Sequence, residues 1–382
     1  MESNFKKLTI VSKAMWAAAL MLGVVGLQSR LSAQDAATTS NGPTSVGILE
    51  PSEEPDAQDG PAVTGLINQE QIIANEAAAA VAPDFHLFGF AAGNTTGGKG
   101  GATVTVTTLS QLQSVAANSS ALIIKISGHI TGNDIVRVAS NKTIVGVGST
   151  AELTGIELGL ANSSNIIIRN LKLSHVLAAN HDGDDIHLQK THHVWIDHCE
   201  MFSDSPAIQP NKDLFDGLVD ITHDSSFVTI SWTFFHDHWK TNLIGSSDSD
   251  NFDRRTTFHH NIYHNVNSRT PSYRFGHGHV YNSLFQNVAG SGVNSRMGAV
   301  LRIEGNVFDT VSDPITSLDS SSVGFWDVRD NQFVNSTGNQ PTTSNGSFTP
   351  PYTYHLDTSA TVRAIVTQWA GVGKTDPLQN LP

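Results

Sequence analysis

The chain has 382 residues, enough for one large all-β domain or two ordinary ones. Its formal net charge of −13 sets 22 Lys and Arg against 35 Asp and Glu, which argues against a nucleic-acid partner and repels any acidic ligand unless a cation intervenes. The only cysteine, Cys199, excludes an internal disulfide and reads as a small buried residue in an apolar strand pattern.

The first segment, residues 1–33, reads as a secretory signal. Lys6, Lys7 and Lys13 precede an apolar run from Ala14 to Leu27, and Leu31-Ser32-Ala33 supplies a cleavage pattern. The run is short for a membrane span and no second one follows, so the mature protein is expected to be secreted (extracellular or periplasmic), soluble and monomeric, with no membrane association. A retained N-terminal anchor is the plain alternative. The segment carries four basic residues and one acid, so its removal moves the charge from −13 to −16. Residues 34–83 read as a low-complexity acidic linker, disordered over 34–65, with the composition of a short helix in INQEQIIANEAAAAV, 66–80.

From about Pro83 the chain turns rich in Gly, Asn, Ser, Thr, Val and Ile, with short strand patterns between turn signals. Those patterns repeat. IIIRNLKL (166–173), VWIDHCEM (194–201), VTISWTFF (228–235), TTFHHNIY (256–263), GHVYNSLF (278–285), LRIEGNVF (301–308) and WDVRDNQF (326–333) align in fixed phase. One column holds Leu171, Cys199, Thr233, Asn261, Ser283, Asn306 and Asn331. Two residues on, a second holds Leu173, Met201, Phe235, Tyr263, Phe285, Phe308 and Phe333. The period of about 22 to 34 residues suits stacked coils, each laying a strand on the previous one at about 4.8 Å. Asn ladders and a stacked aromatic row follow from that. The fold predicted is all-β, a single-stranded right-handed parallel β-helix. A helical solenoid fails because the apolar spacing is two, and a β-sandwich would not keep a column in phase.

A second series of strands occupies the same register: DGDDIHL (182–188), FDGLVDIT (215–222), WKTNLIG (239–245) and SRTPSYRFG (268–276). As four successive rungs of one wall, they carry Asp182 and Asp184, then Asp216 and Asp220, then Lys240, then Arg269 and Arg274. Residues two or four apart in a strand share a face. Stacked carboxylates cannot all stay ionised unaided, so protons or a cation must neutralise them. An all-oxygen donor set points to a hard cation, and its flexible, carboxylate-rich character to Ca2+ over Mg2+. Ordinary Asp-rich β-corners are the structural alternative. The bases are placed about 5–10 Å beyond the acids. Pro271 cannot donate to a sheet ladder, so it interrupts the strand and lets both arginines reach one side. A wall with bound cations at one end and fixed cations at the other suits a polymer of regular carboxylates. The plain alternative pairs the two arginines with acids of neighbouring coils.

From about Gly89 to Lys374 the chain resembles the polysaccharide lyase family 1 pectate lyases. GFAAGNTTGGKGG (89–101), VWIDHCEM (194–201), DGLVDI through VTISWTFFHDHWKTNLIG (216–245) and RTPSYR through HVYN (269–282) resemble four family blocks in the right order. The resemblance implies the parallel β-helix and cleavage of α-1,4-polygalacturonate by β-elimination. It implies that Asp184, Asp216 and Asp220 are the main calcium ligands and Asp182 an accessory one, that Lys240 and Arg274 bind substrate, and that Arg269 is the Brønsted base. Lys212 stands where some members have a further acid, which removes one donor from a second calcium site. Arginine normally stays charged, so a base at Arg269 needs a strongly cationic setting, and a rate rising above neutrality is expected.

Two H-x-H pairs, His236 with His238 and His277 with His279, and the adjacent His259 and His260 have a zinc-like spacing; hydrogen-bonded wall residues are the plainer reading. Asn94, Asn118, Asn141, Asn162, Asn335 and Asn345 lie in N-x-Ser/Thr sequons, which matter only in a eukaryotic secretory host. Trp195, Trp232, Trp326 and Trp369 are expected to pack beneath turns. The competing functions are a polygalacturonate hydrolase on a similar scaffold, a non-catalytic pectate-binding β-helix, and a pectin lyase acting without calcium. The last is disfavoured by the aspartates.

Overall fold

A computed structural model describes residues 81–179 and 181–382, all within the compact unit Gly65–Pro382. The predicted signal, the linker up to residue 80 and the helix at 66–80 lie outside the described residues. Among the described residues, no helix is long and apolar enough to cross a membrane.

Short runs of β-branched residues build the coils, and one repeated backbone corner sets their phase. Asn170, His198, Trp232, His260, Asn282 and Asp330 each follow a strand of one sheet and take φ of 43–56°. This left-handed region suits Asn and Asp, is tolerated by His, and costs Trp more. Each corner residue immediately precedes a member of the first column. That column therefore sits at the bend between two walls, outside the strands proper. There it forms a mixed ladder. Thr233 N–H donates to Asn261 Oδ1 (2.9 Å), Asn261 N–H to Ser283 Oγ (3.2 Å), Ser283 N–H to Asn306 Oδ1 (2.9 Å), and Asn306 Nδ2 to Asn331 Oδ1 (3.0 Å). Cys199 begins this ladder, fully buried, and burial pushes its thiol up to about 12.

All strand ladders among the described residues are parallel. Ten strands from Ala102–Val106 to Phe325–Arg329 make one wall, and a continuous fifteen-stranded sheet makes the other two. The sheet continues round the corner because the strand Glu152–Ala161 serves both of its walls. Its first part pairs with Lys172–Ser174 and its last part with Ile186–Gln189. This is the parallel β-solenoid expected from the columns. Inside, Phe235, Tyr263, Phe285, Phe308 and Phe333 stack with centroids 5.0, 4.9, 4.5 and 5.4 Å apart.

Two helices close off exposed apolar surface. Helix α1 (Leu109–Ala116) is capped by Thr108, whose side chain accepts from Gln111 N–H, and it buries Leu112 and Ala116 in the core of the first coils. Helix α2 (Ser359–Trp369) packs Val362 and Val366 on Leu284 and Val307. The VWIDH block is fully interior. Asp197 holds Arg169 Nε at 2.6 Å and His198 Nδ1 at 2.6 Å and accepts from Ser231, while Arg169 reaches the carbonyl of Gln379. It fastens the C-terminal tail and has no part in the cleft.

Candidate active site

One wall carries the chemistry. Its strands, in order, are β1 (His129–Arg137), β2 (Glu152–Ala161), β3 (Ile186–Gln189), β4 (Val219–Thr222), β5 (Asn242–Ile244), β6 (Ser272–Arg274), β7 (Val293–Arg296) and β8 (Ile315–Thr316). Register puts Arg137, Gly159, His187, Asp220, Leu243, Ser272, Asn294 and Thr316 in a single row across them. The four predicted rungs are thus β3 to β6, stacked in the order expected.

Asp184 and Asp216 precede β3 and β4, and Asp220 lies within β4. Their carboxylates offer one oxygen each, all within 4.8 Å of one another. Asp184 and Asp220 are buried, and burial, then neighbouring carboxylates, raises both well above the ordinary range; Arg269 opposes this at Asp220. Gly217 N–H donates to Asp184 Oδ1 (2.7 Å), His187 Nδ1 lies 2.7 Å from Asp184 Oδ2, and Leu243 N–H donates to Asp220 Oδ1 (3.0 Å). Gly217 is required here. A Cβ on it would stand 2.5 Å from Asp220 Oδ1 and 2.6 Å from Asp184 Oδ1, filling the cradle between the carboxylates. Three converging carboxylates around a space kept free of side chain fit a hard divalent cation. Asp182 is 60% exposed and outside this group, with His187 Nδ1 3.8 Å away.

The bases stand closer to the acids than rung counting suggests, because long side chains lean back along the wall. Lys240 ends the strand Phe234–Lys240, and its Nζ lies 2.6 Å from Asp216 Oδ1 and 3.0 Å from Asp213 Oδ1. Arg269 follows Ser268, the register partner of Lys240, and has φ of 63°. Its Nη1 is buried, lacks a hydrogen-bond partner, and lies 3.9 Å from Asp220 Oδ2. Pro271, in a cis peptide with Thr270, stands just before β6, so it interrupts the chain where the sequence suggested. Arg274 pairs with Asp248 at 2.8 Å, as the plain alternative had it, and also donates to Gly245 O. Even so, Lys240, Arg269 and Arg274 all line one cavity of about 360 Å³.

Sequence reasoning missed several members of this site. Arg296, the register partner of Arg274, lines the same cavity one rung further on; burial, then Arg274, lowers it to about 10. Asp213 and Asp248 bind the cleft cations. Glu157, on β2, accepts from Gly183 N–H, and burial, then Asp182, raises it to about 7. His238 accepts or donates at Ser203 and lies 3.2 Å from the carbonyl of Asp216; burial lowers it to about 4. The other paired histidines are held locally: His236 by Asp237, His277 by Asp253, His279 by Glu304 and His260 by Asp357.

A family model described as pectate lyase matches residues 61–375. A pectate trisaccharide-lyase of Bacillus licheniformis is 48% identical over 306 residues, covering 77% of this chain and 88% of that one. The chain belongs to the pectate lyase family. Pectate lyase B of Colletotrichum gloeosporioides is 43% identical over 288 residues, covering 74% and 84% of the two chains. Among solved pectate lyases, one from Bacillus sp. N165 in complex with trigalacturonate superposes with a TM-score of 0.70 at 33% identity, over 75% of this chain and 99% of that one. Pectate lyase C from Erwinia chrysanthemi, studied with Ca2+, superposes with a TM-score of 0.66 at 26% identity, over 76% and 97%.

Proposed function

We propose that this pectate lyase is a secreted, calcium-dependent enzyme that cleaves α-1,4-polygalacturonate by β-elimination at the wall carrying Asp184, Asp216, Asp220, Lys240 and Arg269. The supporting observation is the adjacency of a three-carboxylate cradle and a basic cavity on consecutive rungs. Asp184, Asp216 and Asp220 would hold calcium, with Asp182 at the margin, and its charge would counter that of the substrate carboxylate. Lys240, beside Asp216, adds a fixed positive charge where the uronate carboxylate gains electron density as the C5–H bond breaks. Arg269, acting as the neutral guanidine, takes that proton and becomes the guanidinium. The electron pair forms the C4–C5 double bond, the C4–O bond breaks, and the leaving oxygen is protonated by solvent. Arg274 and Arg296 hold neighbouring carboxylates of the chain.

A hydrolase needs two carboxyl groups flanking the bond, about 5 Å apart or more. Here the three acids converge on one another from one wall, with Lys240 and Arg269 beside them, an arrangement that suits elimination better than two acids flanking a bond. The test is ultraviolet absorbance of the unsaturated product on polygalacturonate, with and without a chelator. Absorbance that appears with calcium, disappears with chelator and is lost in Arg269→Ala supports the proposal. Reducing ends formed without absorbance would refute it.

A further inference from the structure

The row along the cleft wall changes chemistry at the carboxylate cradle. On the β5–β7 side, Lys240, Arg269, Arg274 and Arg296 line the cavity, joined by Lys212. On the β1–β2 side, beyond His187, lies a second cavity of about 260 Å³, where Ile135, Ala139, Gly159 and Ala161 meet Glu157 and Asp182. The two cavities share one outer face, because Arg137, Gly159, His187 and Asp220 are consecutive register partners. Gly159 lets Ile135 pack closely over its backbone there. A Cβ on Gly159 would stand 2.5 Å from Ile135 Cδ1, so the Ile135 side chain forms part of the floor of this hollow. Arg137 and His187 line this hollow together with Glu157 and Asp182.

A polyuronate lying along this row meets opposite conditions at its two ends. Five guanidinium and ammonium groups, against the single acid Asp319, reward a free carboxylate on one side. On the other, the charged groups are mixed, Arg137 and His187 against Glu157 and Asp182, and they border the small apolar surface of Ile135, Ala139 and Ala161. A methyl-esterified uronate needs no counter-charge there and supplies a methyl group of a size to meet that apolar surface. We propose that the cleft is graded: the hollow between β1 and β2 takes a methyl-esterified residue, while the basic side takes free uronates. The enzyme would then cut partly esterified pectin with its esters on one side of the scission. This inference rests on the lyase reading above.

The experiment digests polygalacturonate and a randomly, partly methyl-esterified polygalacturonate in parallel. The unsaturated end marks one side of every cut, and mass-spectrometric sequencing locates the esters relative to it. Both substrates should be cut, with esters enriched beside one type of new end and depleted beside the other. Ile135→Lys, and Ala161→Lys at an exposed position, place an ammonium in the hollow. Each should lower the rate on esterified substrate relative to polygalacturonate by about tenfold, with the melting temperature unchanged. Esters spread equally over both new ends, or variants that slow both substrates alike, would overturn the grading. No product from polygalacturonate would instead sink the lyase reading, and the inference with it.

Discussion

Replacing Asp220 by Asn separates the two roles of the cradle, as a strain in the bare protein and as a cation site. The three carboxylates approach within 4.8 Å, and two unit charges at that separation repel by about 3.5 kcal/mol at an effective dielectric of about 20. Partial protonation already relieves some of this in the metal-free protein, because burial and neighbouring charge raise Asp184 and Asp220. The gain expected from Asp220→Asn in chelator is therefore about 1–2 kcal/mol, or roughly 2–6 °C in melting temperature. The amide oxygen still accepts from Leu243 N–H, so the backbone register is kept. Calcium affinity should fall at least about 100-fold, and turnover should fall with it. Thermal melts in chelator and calorimetric titration with calcium read the two effects separately. A variant that melts lower in chelator and binds calcium as the parent does would refute the reasoning.

Calcium affinity should rise with pH and its binding should release protons. Asp184 and Asp220 are raised in the folded chain, so the metal-free protein loses stability as pH climbs above the ordinary carboxylate range, near 3.8, and the ion must displace protons held there. Calorimetry in buffers of different ionisation enthalpy checks this; affinity independent of pH would contradict it. Phe285→Ala removes the middle of the interior stack, between Tyr263 and Phe308, and should cost about 3–5 kcal/mol by denaturant unfolding, with calcium affinity kept. Asp197→Asn strips a fully buried acceptor from Arg169 and His198, and about 3–5 kcal/mol of lost stability is expected, with faster proteolysis of the C-terminal tail.

The solenoid was legible because each coil repeats a backbone event with a residue signature. A left-handed corner, a ladder residue and an inward aromatic recur at fixed offsets, and Tyr263, Phe285 and Phe308 stack as their spacing implies. The acids and bases of the wall were legible for the same reason, since register carries Asp220 next to His187 and Leu243. Side-chain reach was not. Spacing places Cα atoms on rungs, yet whether Lys240 extends outward or folds onto Asp216 is a matter of rotamers and local charge. Arg296 escaped notice because VNSR lacks the Gly, Pro or paired acids that marked the earlier rungs, although the next step of the register points to it. Nor could spacing show that Asp182 stays outside the cradle, or that Glu157, one coil earlier, approaches it. The strand Glu152–Ala161 serves two walls, so its face assignments change partway along.

The most direct measurement is a crystal structure with calcium and an oligogalacturonide bound to an Arg269→Lys variant, in which turnover is expected to be slowed. Calcium held by Asp184, Asp216 and Asp220, with a uronate C5 hydrogen facing residue 269 and its carboxylate toward Lys240, is the predicted result. A sugar chain seated away from this wall, or an ion bound elsewhere with the cradle uninvolved, would contradict the account.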